Sequence, residues 1–221
     1  MAEPLNNHIP FIADSSVIDW LQERSIEMQR LMTYYRCAML EVETKFKVLD
    51  AEYSMQHDRN PINSVKTRLK KFESIIEKLE RRNLPFSLNS IEENLNDIAG
   101  VRVICSFVED VYTLADALLN QDDIQLIERK DYIQNPKGNG YRSLHLIVAI
   151  PIFLENEKRM MKVEIQLRTI AMDCWASLEH QLHYKKDYEF DDESMAKLYE
   201  CAQLSMKLDT IMDELRAKSN I

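Results

Sequence analysis

Glycine is almost missing from this chain. Only three of its 221 residues are glycine, at 100, 138 and 140, and two of those fall inside one stretch, KDYIQNPKGNGYRSLH at 130–145. Cysteine is sparse as well: Cys37, Cys105, Cys174 and Cys201 stand far apart with no Cys-x-x-Cys pair, which argues against a zinc cage or redox dithiol and predicts buried free thiols. No apolar run is long enough to span a bilayer, since the longest, LHLIVAIPIFL at 144–154, is interrupted by His145 and Pro151. The N-terminal MAEPLNNHIPFIADSS has neither a basic segment nor a continuous apolar core, so no signal peptide is evident and a cytoplasmic protein without a membrane span is expected. Basic residues are in the minority, 28 against 37 acidic for a formal charge of −9, which opposes binding to extended nucleic acid such as DNA. Internal repeats and low-complexity segments are absent too.

What remains is ordinary for a folded protein, with 45% hydrophobic and 29% charged residues in a length that suits one compact domain with helical extensions. Ser16 and Asp19 form an S-x-x-D helix start, followed by Leu31, Tyr35, Met39, Val42, Phe46 and Leu49 at helical spacing. HDRNPIN at 57–63 reads as a turn, and a second helix carrying Leu69, Phe72, Ile75, Ile76 and Leu79 is expected after it. From Ile98 the pattern changes to short β-rich runs, IAGVRVICSF, IQLIERKDY, SLHLIVAIPI and MMKVEIQLR, with the helical VEDVYTLADALLNQ between the first two. Helical periodicity returns at Met172, Trp175, Leu178 and Leu182, and again from Leu198 to Leu215. The expected fold is α+β: a mixed four- or five-stranded sheet flanked by helices. The expected parts are a helical extension at 1–60, a central domain at 61–186 and a second helical extension at 187–221.

Charge is unevenly placed. Residues 63–82 carry seven Lys or Arg against three Glu, whereas 187–221 carries nine acids against four bases, so a local basic patch suited to a small anion sits on an acidic protein. Within RLKKFESIIEK at 68–78, Lys70, Ser74 and Lys78 recur every fourth residue and would share one helix face, a row of donors fit to grip a polyphosphate, with Arg68, Arg81 and Arg82 at its ends. A solvated amphipathic face has the same pattern. In DIAGVR, Asp97 precedes an apolar strand that contains Gly100 and Arg102. In KVEIQLRT, Val163, Ile165 and Leu167 alternate with Lys162, Glu164, Gln166 and Arg168, so one strand face presents polar groups. Asp97 and Glu164 on neighbouring strands could hold Mg²⁺ through carboxylate oxygens, with the basic segment binding the phosphates, a constellation for phosphoryl or nucleotidyl transfer. Beside the glycines, the Tyr141 ring offers a stacking surface for a base and Asn139 a group to read its edge.

DIAGVRVICSF, KDYIQNPKGNGYRSLHL and VEIQLRTIAMDCWASLEHQLHYK, in that order, resemble the (p)ppGpp synthetase domain of the RelA/SpoT family, over about residues 60–186. The short chain and helical C-terminus look most like the stand-alone small alarmone synthetases of the RelP group. The resemblance implies transfer of the β,γ-diphosphate of ATP to the 3′-hydroxyl of GDP or GTP, with GMP as a further acceptor. It implies that Arg68 and Arg102 sandwich adenine and that Lys70, Ser74 and Lys78 bind the ATP phosphates. On the acceptor side it implies that Tyr141 stacks on guanine, Asn139 contacts its edge, and Lys130, Lys137, His145 and Gln166 complete the guanosine nucleotide site. Gly138 and Gly140 would let that loop reshape around the nucleotide. Asp97 corresponds to the Mg²⁺ ligand, and Glu164 to the carboxylate that touches the metal and activates the 3′-hydroxyl.

A homotetramer is implied as well, without necessarily any activation by product. The hydrolase region of long family members, and with it alarmone hydrolysis, is not expected here: an HD pair occurs at His57 and Asp58, but only about sixty residues precede the resembling region and the other histidine ligands are not found. A non-catalytic nucleotide- or RNA-binding relative is the alternative. Single-stranded RNA in a basic groove stays open but is not indicated. A nucleotidyltransferase of related fold would need a D-x-D pair, absent near VRVICSF.

Overall fold

The computed structural model describes residues 15–57, 59–184 and 191–219; the stretch 1–14 and Asp58 of the His-Asp pair lie outside them. The elements run α1 (Ser15–His57), β1 (Ile62–Leu69), α2 (Phe72–Arg81), α3 (Leu88–Asn94), β2 (Ala99–Cys105), α4 (Val108–Leu119), β3 (Gln125–Asp131), β4 (Leu144–Phe153), β5 (Lys158–Thr169), α5 (Ile170–Tyr184) and α6 (Asp192–Ser219). One five-stranded sheet has the order β1-β2-β5-β4-β3. Only β2 and β5 are parallel; the other three pairs are antiparallel. This is the expected mixed sheet, with five strands.

The period of two along β2 and β5 divides the sheet into two chemically different faces. Val101, Val103, Val163, Ile165 and Leu167 are buried on one side, where Leu31, Tyr35, Ala38, Val42 and Phe46 of α1 and Val111, Leu114 and Leu118 of α4 join the same apolar cluster. The other face carries Gly100, Arg102, Glu164 and Gln166, which line a cleft. α5 stands over that second face and packs on β2 and β5. A smaller cluster of Trp175, Ala176, Leu198 and Ala202 joins α5 to α6, and Tyr141 packs against it. Trp175 Nε1 donates to the Leu198 carbonyl at 3.0 Å, which ties the two helices together.

Two sequence expectations need correction, and one short helix is added to them. Leu69 ends strand β1, and the helix begins only at Phe72, so Lys70 does not share a helical face with Ser74 and Lys78. β1 is an edge strand with no fully buried residue, so its apolar signal is weak beside the strong one of α2. The short helix α3 also went unread, because in seven residues its main signal is the Ser87 cap, whose Oγ accepts from Ser90 N at 3.1 Å. Of the cysteines, Cys105 is buried and Cys37 partly so, but Cys174 and Cys201 lie exposed on α5 and α6.

Candidate active site

The register of the sheet sets polar side chains in rows across the strands. Lys66 pairs with Arg102, Arg102 with Gln166, Gln166 with His145, and His145 with Lys130, so one row crosses all five strands. The next row is Arg68, Gly100, Glu164, Ile147 and Glu128. Gly100 therefore leaves the floor bare between Arg68 and Glu164. A cleft of about 680 Å³ opens over these rows, between β1 on one side and Ser177, His180 and Gln181 of α5 on the other. Its size and polar lining suit a nucleotide-sized ligand.

At one end of the cleft, Asp97 lies in the loop just before β2. Its Oδ2 accepts from Lys70 Nζ at 2.8 Å and meets Lys78 Nζ at 2.6 Å. Burial alone would raise this carboxyl, but the two lysines outweigh it and hold it below its ordinary value. For Lys78, burial, with Lys70 and Arg82 nearby, outweighs Asp97 and holds the ammonium below its ordinary value. Asp97 Oδ1 is buried with no hydrogen-bond partner. An orphaned buried carboxylate oxygen is a free ligand position for a hard cation. Among the described residues no three metal-ligating side chains cluster, so a cation here would take oxygens from Asp97, from Glu164 and from substrate phosphates, which suits Mg²⁺.

At the centre, Glu164 lies between Gln166 and His145. Gln166 Nε2 donates to Oε2 at 3.1 Å, and His145 Nδ1 stands 3.6 Å from Oε1. Burial would raise the Glu164 carboxyl, while His145 and Gln166 lower it; the net effect holds it ionised, below its ordinary value. Asp97 is close enough for its charge to raise Glu164 slightly, which places the two carboxylates in one electrostatic site.

Tyr141 lines the cleft, and its hydroxyl meets His145 Nε2 at 2.8 Å. Its ring carries the Lys137 ammonium at 4.8 Å and the Arg168 guanidinium at 5.1 Å. Lys137 is exposed and also lies 4.6 Å from the Tyr132 ring, so it is the cation that a stacking base can displace. Asn139 Oδ1 accepts from Tyr141 N at 3.1 Å, shaping the turn, and its Nδ2 faces Glu179 Oε1 at 3.4 Å. Gly140 is buried at φ +87°, and a Cβ there would lie 2.4 Å from Ala202 Cβ. Gly140 thus fastens its loop to α6, whereas Gly138 has open space around it.

A segment spanning most of these walls, residues 67–189, matches the region found in RelA/SpoT proteins. The chain belongs to the RelA/SpoT family. Over 194 residues it is 42% identical to the GTP pyrophosphokinase YwaC of Bacillus subtilis strain 168, covering 88% of this chain and 89% of that protein. It is 35% identical over 192 residues to the GTP pyrophosphokinase YjbM of the same strain, covering 87% and 90%. Its structure resembles the crystal structure of small alarmone synthetase 2 from Bacillus subtilis, with a TM-score of 0.79 at 41% identity over 87% of this chain and 99% of that one. Small alarmone synthetase 1 from that organism, bound to its product pppGpp, matches with a TM-score of 0.79 at 35% identity over 87% and 97%. The family expected from the three motifs and the α+β fold class expected from the order of helical and β-rich segments both hold.

In this RelA/SpoT-family chain the cleft gathers Arg68, Lys70, Asp97, Arg102, Tyr141, Glu164 and Gln166 from the sequence expectation. Lys78 reaches the same place through Asp97 and His145 through Glu164. Ser74 does not line the cleft, and Lys130 is exposed and paired with Glu128 at 2.9 Å, near His145 only through the strand register. Two central groups were missed as site residues. Asp173, in the first turn of α5, collects Lys66 and Arg102 at 3.3 Å and Arg168 at 3.4 Å. Arg168 is 4% exposed and was read only as one polar residue of an alternating strand. The signal for both was an arginine and an aspartate five residues apart across a strand-to-helix junction otherwise filled by apolar side chains.

Proposed function

We propose that this chain transfers the β,γ-diphosphate of ATP to the 3′-hydroxyl of a guanosine nucleotide, GDP or GTP with GMP as a further acceptor, releasing AMP. The observation that carries the reading is the meeting, in one cleft, of the arginine pair Arg68 and Arg102, the two ionised carboxylates Asp97 and Glu164, and the Tyr141 ring. The relatives named GTP pyrophosphokinase, and the neighbour bound to pppGpp, support it.

Adenine would lie between the guanidinium planes of Arg68 and Arg102, which stand in neighbouring rows on one face of the sheet, two register positions apart on β1 and β2. The donor triphosphate would draw Lys70 and Lys78 from Asp97, trading one buried anion for another, with Ser74 at the far end of that segment. Guanine would stack on Tyr141 in place of Lys137, with Asn139, His145, Gln166 and Lys130 around the acceptor. The 3′-oxygen attacks the β-phosphorus, its proton passes to the Glu164 carboxylate, and the bond from the β-phosphorus to the oxygen bridging to the α-phosphate breaks, so that oxygen leaves with AMP. Asp97 and Glu164 would hold Mg²⁺, which supplies charge neutralisation for the transferred diphosphate.

Assembly as a homotetramer and a cytoplasmic location belong to the same proposal, as does the division into a helical segment at 1–60, a synthetase domain at 61–186 and a terminal segment at 187–221. Support for assembly comes from α6, where Leu204, Leu208, Ile211 and Leu215 form an exposed apolar row. Among the described residues no helix is long and apolar enough to cross a membrane. The test is incubation with ATP, Mg²⁺ and GMP, GDP or GTP in turn, with the products resolved by anion exchange. AMP formed in step with a guanosine 3′-diphosphate is the expected result; binding of both nucleotides without AMP release would overturn catalysis in favour of a non-catalytic relative.

A further inference from the structure

We propose that Arg168 is a positioning residue for Glu164: from its buried guanidinium one hydrogen-bond chain reaches a carboxylate oxygen through Gln166, and a second, through Tyr141, orients His145, whose Nδ1 faces the other oxygen. The inference rests on reading Glu164 as the group that takes the acceptor proton.

The directions of the chains follow from donor chemistry. Arginine only donates. Arg168 Nη2 donates to the Tyr141 hydroxyl oxygen at 2.6 Å and to Gln166 Oε1 at 2.8 Å. The Tyr141 oxygen accepts from Arg168, and its one hydrogen finds a partner if it is directed to His145 Nε2 at 2.8 Å, the arrangement we assign. That nitrogen is then an acceptor, and the neutral ring carries its hydrogen on Nδ1, which faces Glu164 Oε1 at 3.6 Å. On the other chain Gln166 Oε1 is taken by Arg168, so its amide nitrogen is turned to Glu164 Oε2 at 3.1 Å. One oxygen of Glu164 thus accepts from Gln166 and the other faces His145 Nδ1, and the orientation of both partners is set at Arg168.

The guanidinium is itself held from every side. Its Nε donates to Ser143 Oγ at 3.4 Å and its Nη1 to Asp173 Oδ1 at 3.4 Å, while Ser143 Oγ donates on to the Leu167 carbonyl at 3.2 Å. A planar fork reaches Tyr141, Gln166, Ser143 and Asp173 at once; a lysine ammonium, a single point at the end of a flexible stem, does not. A cation present only to neutralise Asp173 needs none of the contacts to Tyr141 and Gln166, since Lys66 and Arg102 already reach that carboxylate.

The experiment uses the substrate-free full chain labelled with ¹⁵N-histidine, at about pH 8, above the ordinary histidine range. Five histidines are present, and His145 is assigned by its disappearance in His145→Asn. Wild type should show His145 as the Nδ1–H tautomer. Tyr141→Phe and Arg168→Lys should each move it toward the Nε2–H form. In single-turnover assays the same two variants should lose about 10- to 100-fold in rate, the range for partners that orient an active group, with acceptor and ATP KM changing less than about threefold. Phenylalanine keeps the stacking ring, so a large rise in acceptor KM for Tyr141→Phe would place the effect in binding and overturn the proposal. An Nε2–H or doubly protonated His145 in wild type, or a tautomer unchanged in the variants, would also overturn it. If Arg168→Lys does not fold, Tyr141→Phe decides alone, because it removes one hydroxyl and strands no charge. Absence of alarmone synthesis by wild type would instead sink the functional reading, and the tautomer measurement distinguishes that failure from this one.

Discussion

Gly140→Ala should destabilise the protein by about 2–5 kcal/mol, from two costs that can be separated. The backbone at 140 has φ +87°, where an L side chain costs roughly 1–2 kcal/mol. The new Cβ would also lie 2.4 Å from Ala202 Cβ and 3.5 Å from Tyr199 Cδ2. Ala202 is buried on α6, beside Trp175 and Leu198, so the overlap is relieved only by moving the helix, at a cost of about 1–3 kcal/mol. In a chain of this length the melting temperature should fall by about 5–15 °C. Ala202→Gly removes the atom that is struck; alone it should cost about 1 kcal/mol for a glycine inside a helix. In the double variant it should return the overlap cost but not the φ cost, a coupling of about 1–3 kcal/mol with rescuing sign. Urea unfolding of all four proteins, followed by circular dichroism, measures the cycle. The acceptor KM should rise in Gly140→Ala, because Tyr141 is the next residue. A loss below about 1 kcal/mol, or no rescue by Ala202→Gly, would refute the view that α6 fixes this loop.

Three further outcomes are expected. Glu164→Gln keeps size but cannot take a proton, so single-turnover alarmone formation should fall about 10²–10⁴-fold while both nucleotides still bind; retention of more than about a tenth of the rate rules out this carboxylate. Gly100→Ala should fold normally, since its Cβ would meet only the Arg68 carbonyl at an ordinary 3.5 Å. It would stand on the cleft floor between Arg68 and Glu164, so ATP KM should rise severalfold with melting unchanged, and an unchanged KM would remove that floor from the donor site. Asp97→Asn leaves Lys70 and Lys78 without their anion. The folded carboxyl lies below its ordinary value, so its stabilisation is present above about pH 4 and is lost as pH falls through the lower folded value. The melting difference from wild type should therefore be widest near neutrality and close on acidification, and a gap constant with pH would show that the lysine contacts do not stabilise the fold.

Much of the fold was legible because its signals are local. The alternation of Val163, Ile165 and Leu167 with Glu164 and Gln166 marks a strand with one polar face, and the structure sets that face in the cleft. The helical stripe Phe72, Ile75, Ile76 and Leu79 is equally plain. Where signals overlap, reading by period fails: Leu69 closes strand β1 but continues the apolar spacing of α2, so the strand vanished into the helix and Lys70 was carried with it. Its meeting with Lys78 survives for a different reason, since both ammonium groups converge on Asp97 from a loop and from a helix.

What is not legible is adjacency between strands. Each strand announces which of its residues are polar, but not which strand lies beside it, and the order β1-β2-β5-β4-β3 with one parallel pair cannot be read from period or turn chemistry. The row from Lys66 to Lys130 exists only once that order and register are fixed. The same holds more strongly for Arg168. In sequence it is the last polar residue of an exposed alternation, yet α5 begins two residues later and folds back over the sheet, so the side chain ends 4% exposed. A buried guanidinium must have its donors satisfied, and the partners that satisfy it, Tyr141, Ser143, Gln166 and Asp173, come from a loop, from the strand itself and from the covering helix. Burial, which the sequence does not state, is what turns an ordinary surface arginine into a residue whose hydrogen bonds determine the geometry around Glu164.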